Sequence, residues 1–319
     1  MHKYVIRRLL MVIPILFGVS LVVFFIMRMV PGDVATMILM GPTGDVGARQ
    51  EDIAALREKL GLDRPLAIQY LSWVGGMLTL NVGDSLWSGR PIFEEVLERF
   101  PLTLELAALS IVISVFIALL TGILAAVRQN TWIDYVFRAV SIAGLSVPNF
   151  WLGTMVILIL SRYFFWSPPL GYTSFTDDPL VNLQQMIWPA VILGYSLAAV
   201  TSRMTRSSLL EVLREDYIRT AWAKGLSERV IVMRHAFRNA LLPVLTLSAI
   251  QLGTLLGGTV IMETIFTLPG IGRYLVDSVF HRDYPVTQTI ITIMAVKFVF
   301  INLIVDLLYG LIDPRIRYA

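Results

Sequence analysis

The chain carries three histidines and no cysteine, so thiolate and disulfide chemistry are excluded at the outset. His2 is terminal and His235 lies in a basic loop. His281 stands in the run HRDY with Asp277 four residues before it, a spacing that puts both on one helix face. Such a pair could touch a metal, but it reads more simply as a surface pair. Ser278 precedes His281 by three residues, yet no nucleophile elbow or oxyanion donor accompanies it, so hydrolase chemistry has no support. There is no phosphate-cradling loop ending in Gly-Lys-Ser/Thr, so nucleotide hydrolysis is not expected of this chain. The residues therefore read as those of a non-enzyme that binds no cofactor and no metal itself.

Lys297 is the unexpected charge. It sits in IMAVKFVF, near the middle of an apolar run, where a lysine at a bilayer centre costs roughly 2.5–3.5 kcal/mol on insertion scales. Two readings stand. It lines a translocation path or pairs with a buried carboxylate, for which Glu105 is a candidate, or it snorkels to an interface. Asn302 and Asp306 follow in the same run. Asn302 joins Lys297 and Glu105 as a path or buried-charge candidate, and Asp306 reads as structural or as part of a gate.

Composition says what kind of element must hold these residues. The 319 residues are 56% hydrophobic and 15% charged, against roughly 25% charged in average soluble domains. Several apolar runs reach roughly 20 residues, enough to cross a ~30 Å hydrocarbon layer. Six spans are expected, at about 9–30, 102–127, 135–160 with Pro148 inside, 187–205, 241–262 and 287–310. Their length and continuous apolarity favour helices over barrel strands of ~10 alternating residues. The fold class is all-α: a polytopic membrane protein with six transmembrane helices. The basic start MHKYVIRRLL leads into an apolar run with no small-residue cleavage site, and reads as a retained first span. A net charge of +3 does not suggest nucleic acid.

Basic residues orient the chain. Lys3, Arg7 and Arg8, then Arg128 and Arg138, then the run from Arg203 to Arg238, then Arg315 and Arg317 all fall on one side of six spans. Asp45, Glu51, Asp52, Glu94, Glu95, Glu98, Asp177 and Asp178 fall on the other. The excess of Lys and Arg places both termini in the cytoplasm. The expected divisions are 1–30, the N-terminus and first span; 31–100, an extracytoplasmic segment with short helices; 101–310, a core of five helices that includes a 206–240 cytoplasmic loop; and 311–319, a cytoplasmic tail. Within the second, DIAALREK reads as a short helix stopped at Gly61. The stretch PLAIQYLSWVGGMLTL, with Tyr70 and Trp73, reads either as an interfacial helix or as a helix packed on the spans.

The 206–240 loop is the most pointed feature. Leu210, Leu213, Tyr217 and Ala221 recur at helical spacing, widened by Leu209, Ile218 and Trp222. Glu215 and Arg219 are spaced as an i,i+4 pair. Gly225 can end this helix and Ser227 can cap a second, with Glu228 in its first turn. That second helix carries Val230, Met233 and Phe237 among Arg229, Arg234 and Arg238. Apolar teeth with basic flanks suit either a groove in a soluble partner or acidic lipid headgroups.

The loop resembles the cytoplasmic signature of binding-protein-dependent ABC importer permeases. RTAWAKGL at 219–226 and RHAFRNALLP at 234–243 match the branch for dipeptides, oligopeptides and nickel. They depart from the generic signature: Arg219 stands for its Glu and Ala240 for its Ile, with a longer spacer. YVIRRLLMVIPILFGVS, Pro31-Gly32-Asp33, LGLDRPLAIQY, PLTLELA, FTLPGIGRYLVDSVFHRDYPV and NLIVDLLYGLIDPRIRY match as well, so the resemblance covers nearly the whole chain. It implies the type I importer permease fold in a bacterial inner membrane. It implies a second homologous permease subunit, two ATPase subunits that hold ATP and Mg, and an extracytoplasmic solute-binding protein. It assigns ATPase coupling to Arg219, Thr220, Ala221, Lys224, Gly225, Leu226, Arg229 and Arg234. Peptides are the expected cargo, with nickel, glutathione or sugars as alternatives, driven by alternating access; an intramembrane enzyme and an ATP-independent channel are the runner-up readings from other classes.

Overall fold

Backbone amides inside a bilayer have no water to bond, and helices satisfy them within one segment. The computed structural model describes residues 2–29, 35, 36, 39, 50–59 and 61–312, and their side chains except at 2–8, 59, 256–258, 302 and 304–312. Among the described residues there is no strand, and one isolated antiparallel bridge joins Asp84 to Pro91. The chain divides into two compact units, Met1–Pro101 with Arg273–Leu303, and Leu102–Gly272 with Ile304–Ala319.

The first unit contains α1 (His2–Met29), α2 (Gln50–Lys59), α3 (Leu66–Leu78) and the opening turns of α4 (Ile92–Val127), with most of α12 (Ile271–Phe280) and the first part of α13 (Tyr284–Ile312). Glu51 and Asp52 sit in the first turn of α2, where negative charge suits the helix dipole. Gly61 follows at φ +65° and takes the left-handed turn beyond that helix. Helix α3 packs against α1. Tyr70 lies edge-on to Phe17 and Phe24, its hydroxyl is 2.7 Å from Ser20 Oγ, and Arg28 Nη2 donates to Gln69 Oε1 at 2.6 Å. Of the two sequence readings for this helix, packing on a span is therefore realised, while Leu71 and Leu78 on its other face stay exposed.

The second unit holds the rest of α4, α5 (Trp132–Ser146), α6 (Asn149–Phe164), α7 (Pro179–Leu213), α8 (Asp216–Ala223), α9 (Glu228–Val230), α10 (Phe237–Gly258) and α11 (Val260–Ile265). Asp178 caps α7 by accepting from the Leu180 and Val181 amides at 3.0 and 3.1 Å, with Pro179 in the first turn. Two glycines let α4 and α7 touch. A Cβ on Gly122 would lie 2.6 Å from Thr205 Cβ, and one on Gly194 would lie 2.8 Å from Ile113 Cγ2. Beside that contact Thr121 Oγ1 and Ser202 Oγ pair at 2.7 Å.

Among the described residues five helical stretches are long and apolar enough to cross a bilayer: Leu9–Met29, Ile92–Val127, Pro179–Leu213, Glu228–Leu255 and Tyr284–Ile301. Helices α5 and α6, bent by 99°, make a sixth when the pair is counted as one span. The sequence reads 135–160 as one span with Pro148 inside, and here the structure differs. Proline disfavours a helical conformation in the residue before it. Val147 accordingly takes φ −91°, ψ 122°, which ends α5 and starts α6 afresh at Asn149. Helix α4 also begins ten residues earlier than the expected 102. Glu94 and Glu95 favour its N-terminal end, and Pro101 lies inside it.

Candidate functional site

The basic loop begins where α7 ends. The sequence reads one helix across 208–224, but the chain breaks at Arg214–Glu215. Glu215 is extended at φ −66°, ψ 148°, and α8 starts at Asp216. A periodic apolar stripe survives such a break, which is why spacing did not reveal it. The break also redirects the expected ion pair: Arg219 Nη1 meets Asp216 Oδ1 at 3.1 Å instead of Glu215. Gly225 ends α8 at φ +75°. The Leu226 amide bonds the Ala221 carbonyl and the Gly225 amide the Trp222 carbonyl, so both free carbonyls of the last turn are served. Nothing lies within 4 Å of a Cβ placed on Gly225, so the glycine is there for its backbone angle and not for close packing.

Ser227 has the extended conformation of a cap, but its hydroxyl accepts no bond; its carbonyl takes the Ile231 amide at 3.0 Å. The second helix of the loop is not free-standing. From Glu228 it passes through a π-helical turn, Ile231–Ala236, directly into α10.

Burial sorts the loop into two faces. Ile218 at 0%, Ala221 at 7%, Ile231, Val232, Ala236 and Ala240 face inward and pack with Leu209 of α7 and Ala126 of α4. Leu226 packs against the same cluster. Tyr217, Trp222, Val230 and Met233 face outward, with Arg219, Thr220, Lys224, Arg229 and Arg234 also exposed. Ala221 is thus part of the buried cluster behind the exposed face. Beside the loop lies a groove of about 610 Å³, lined by Gln129, Arg206, Glu211 and the break residues Arg214 to Asp216.

Residues 118–318 match the family described as the binding-protein-dependent transport system inner membrane component, and residues 1–107 match its N-terminal component. The chain belongs to this family of binding-protein-dependent transport permeases. It is 40% identical to the dipeptide transport system permease protein of Alkalihalophilus pseudofirmus, over all of both chains. It is 41% identical to the di/tripeptide transport system permease protein of Pseudomonas aeruginosa, over all of this chain and 99% of that one. It is 43% identical to the glutathione transport system permease protein of Escherichia coli K12, over all of both. The chain is thus a membrane permease component of an ABC importer.

The permease's other predicted site residues are Glu105, Lys297 and Asn302. Glu105 Oε2 accepts the Tyr172 hydroxyl at 2.7 Å. Burial and that carboxylate both push the Tyr172 phenol above its ordinary value, so it stays a donor. Lys297 is half-buried, with its Nζ 6.0 Å from the centre of the Phe100 ring. The Asn302 and Asp306 side chains and the tail at 313–319 lie outside what the structure describes. His281 stacks on Trp87 at 4.1 Å and its Nδ1 is 2.8 Å from the Asp277 carbonyl oxygen, while the Asp277 carboxylate lies 3.8 Å from Arg273. Among the described residues no group of three metal-ligating side chains comes together.

Two carboxylates of the permease that are 0% exposed escaped sequence reasoning. Asp134, fully buried, takes both prongs of Arg206: Nε to Oδ1 at 2.8 Å and Nη2 to Oδ2 at 2.7 Å. Glu263, also fully buried, accepts the hydroxyls of Thr103 and Thr259 at 2.8 Å each. An acid inside an apolar run is the signal in both cases, the same signal that singled out Lys297. Asp277 and His281 drew attention through spacing but are exposed, while Ser278 is buried and pairs with the Thr287 hydroxyl at 2.9 Å.

Proposed function

We propose that this permease carries small peptides across a bacterial inner membrane by alternating access, driven by ATP that separate subunits hydrolyse. The names of the relatives support the cargo: one is a dipeptide, one a di/tripeptide and one a glutathione permease. A second permease subunit completes the path, two ATPase subunits hold ATP and Mg, and an extracytoplasmic binding protein delivers the peptide. Both termini and the 206–240 loop face the cytoplasm, and 31–100 faces outward.

One observation carries the docking role. Around Gly225 the loop presents Trp222, Met233, Arg219, Lys224, Arg229 and Arg234 to its surroundings, while Ile218, Ala221 and Ile231 fasten it from behind. A rigid face of apolar teeth and basic rims fits helix-in-groove recognition by a partner with an acidic rim. A force applied to such a face moves what it is anchored to.

The test is transport in proteoliposomes that contain the full complex and the loaded binding protein. Gly225→Val places a β-branched residue at φ +75°, a conformation that costs roughly 1–2 kcal/mol for an L-residue. It is expected to insert normally and to leave ATP hydrolysis unlinked to uptake. Unaltered uptake, or uptake by the permeases without ATPase, overturns the reading. The orientation has its own check, because a chain without cysteine can be labelled cleanly at single introduced cysteines from either side.

A further inference from the structure

We propose that Asp134 and Arg206 are a positioning pair that transmits movement of the basic loop from α7 into α5 and α6. The inference rests on the docking reading above and adds the route by which the movement leaves the loop.

The geometry supplies the route in steps. Ile218 and Ala221 of α8 pack with Leu209 in the last turns of α7. Arg206 is three residues before Leu209, about one helical turn away, and lines the groove that runs beside Arg214, Glu215 and Asp216. Its guanidinium grips Asp134 with two bonds of 2.8 and 2.7 Å. Asp134 Oδ2 also accepts the Asn130 amide at 3.0 Å, so the carboxylate belongs to the start of α5 and to the turn before it. A two-pronged contact resists rotation as well as separation, which a single ammonium cannot do.

Farther along, α5 and α7 are joined twice more. Tyr195 donates its hydroxyl to the Val140 carbonyl at 2.8 Å. A Cβ on Gly144 would lie 3.0 Å from Tyr195 Cζ and 3.1 Å from Ala199 Cβ. Helix α5 therefore runs antiparallel to α7, fastened at both ends. Beyond the bend, α6 meets α11 at Gly153, whose added Cβ would sit 3.2 Å from Met262 Cε. The pair is the polar fastening nearest the loop. A buried ion pair contributes little net stability compared with an apolar pair of similar volume, so stability alone does not explain it. Fixing the angle between two helices does.

The experiment uses the assembled transporter in proteoliposomes and reads peptide taken up per ATP hydrolysed. Asp134→Asn and Arg206→Gln are each expected to keep ATPase binding and ATP hydrolysis while uptake per ATP falls roughly ten-fold, within the range for residues that carry coupling. The double variant is expected to lose no more than either single one, since both remove one interaction. Arg206→Lys should fall between.

A stranded buried charge can also unfold a protein, so the apolar double variant Asp134→Leu with Arg206→Met serves as a second arm. It should retain the wild-type thermal midpoint and still lose uptake per ATP. Spin labels on α5 and α8 should keep their separation between nucleotide-free and ATP-trapped wild-type transporter, and change it in this variant. Wild-type uptake per ATP in the apolar variant overturns the proposal. So does additive loss in the double polar variant, or loss accompanied by a lowered midpoint in the apolar one. Failure of the docking reading looks different: Trp222→Ala would then leave uptake per ATP unchanged, whatever the pair variants do.

Discussion

The Thr103 hydroxyl donates to Glu263 at 2.8 Å and at the same time accepts the Ile271 amide at 3.0 Å. One side chain thus ties α4 to the carboxylate before the Leu268–Gly272 turn and to the backbone at its end. Glycine is required there, because a Cβ on Gly270 would lie 2.3 Å from Glu263 Cδ. The carboxylate cannot retreat without releasing Thr103 and Thr259. Gly270→Ala is expected to destabilise by about 1–3 kcal/mol, the usual cost of overpacking. Glu263→Ala should cost a similar amount by stranding two hydroxyls, and Glu263→Gln less. Thermal midpoints of the purified protein check the order; a Gly270→Ala midpoint equal to wild type would count against the tie.

The α4–α7 contact makes a second prediction. At Gly122 an added methyl meets Thr205 Cβ at 2.6 Å and the Ser202 carbonyl oxygen at 2.8 Å, and backbone cannot rotate aside as a side chain can. Gly122→Ala should lower stability by about 1–3 kcal/mol. Gly75→Ala is the control, because nothing lies within 4 Å of its Cβ. Both variants can be compared by the fraction that stays monodisperse in detergent on heating.

Ile218 and Trp222 are one helical turn apart in α8, but Ile218 is fully covered and Trp222 is not. Ile218→Ala empties part of the cluster around Leu209 and Ile231, and should cost about 2–5 kcal/mol. Trp222 is 49% exposed, so Trp222→Ala should leave the thermal midpoint near wild type and weaken ATPase binding. Co-purification of the ATPase subunits with each variant, set against its midpoint, separates the two roles. Equal effects on both would show that the loop has no separate docking face.

Asp283 predicts a pH dependence. Burial pushes its carboxyl above the ordinary value, against hydrogen bonds from the Ser85 hydroxyl and from the Trp87 and Val286 amides. A native carboxyl that holds its proton to higher pH than the unfolded chain makes stability fall as pH rises from the ordinary aspartate value through the raised one. Below that window both states are protonated and the contribution is complete. Asp283→Asn removes the titration and keeps an acceptor for Ser85. Relative to this variant, the wild-type thermal midpoint should decline as pH is raised from about 4 through that window; parallel profiles would show that the carboxyl is not perturbed.

Local signals carried much of the fold. Apolar runs marked the spans, and the cap after Ala223 was readable because Gly225 follows a helical stripe. The breaks were less legible for opposite reasons. Pro148 was visible, but a proline inside an apolar run is compatible with a kinked helix, as Pro189 in α7 and Pro243 in α10 are. The break at Arg214–Glu215 has no proline or glycine to announce it. In the loop, apolar spacing identified the stripe but not which of its members are covered, since Ile218 and Trp222 are similar in character and differ in surroundings. Asp134 and Arg206 are 72 positions apart and Thr103 and Glu263 160, so no window of sequence contains either pair.

The right angle at Val147–Pro148 has a mechanical meaning. Two helices in line can only pass a thrust onward, and the displacement at one end reappears at the other along the same axis. Two helices set at 99° act as a bell crank. On the proposed route, a tug at the Asp134 end of α5 reaches α6 around this corner and not along a shared axis.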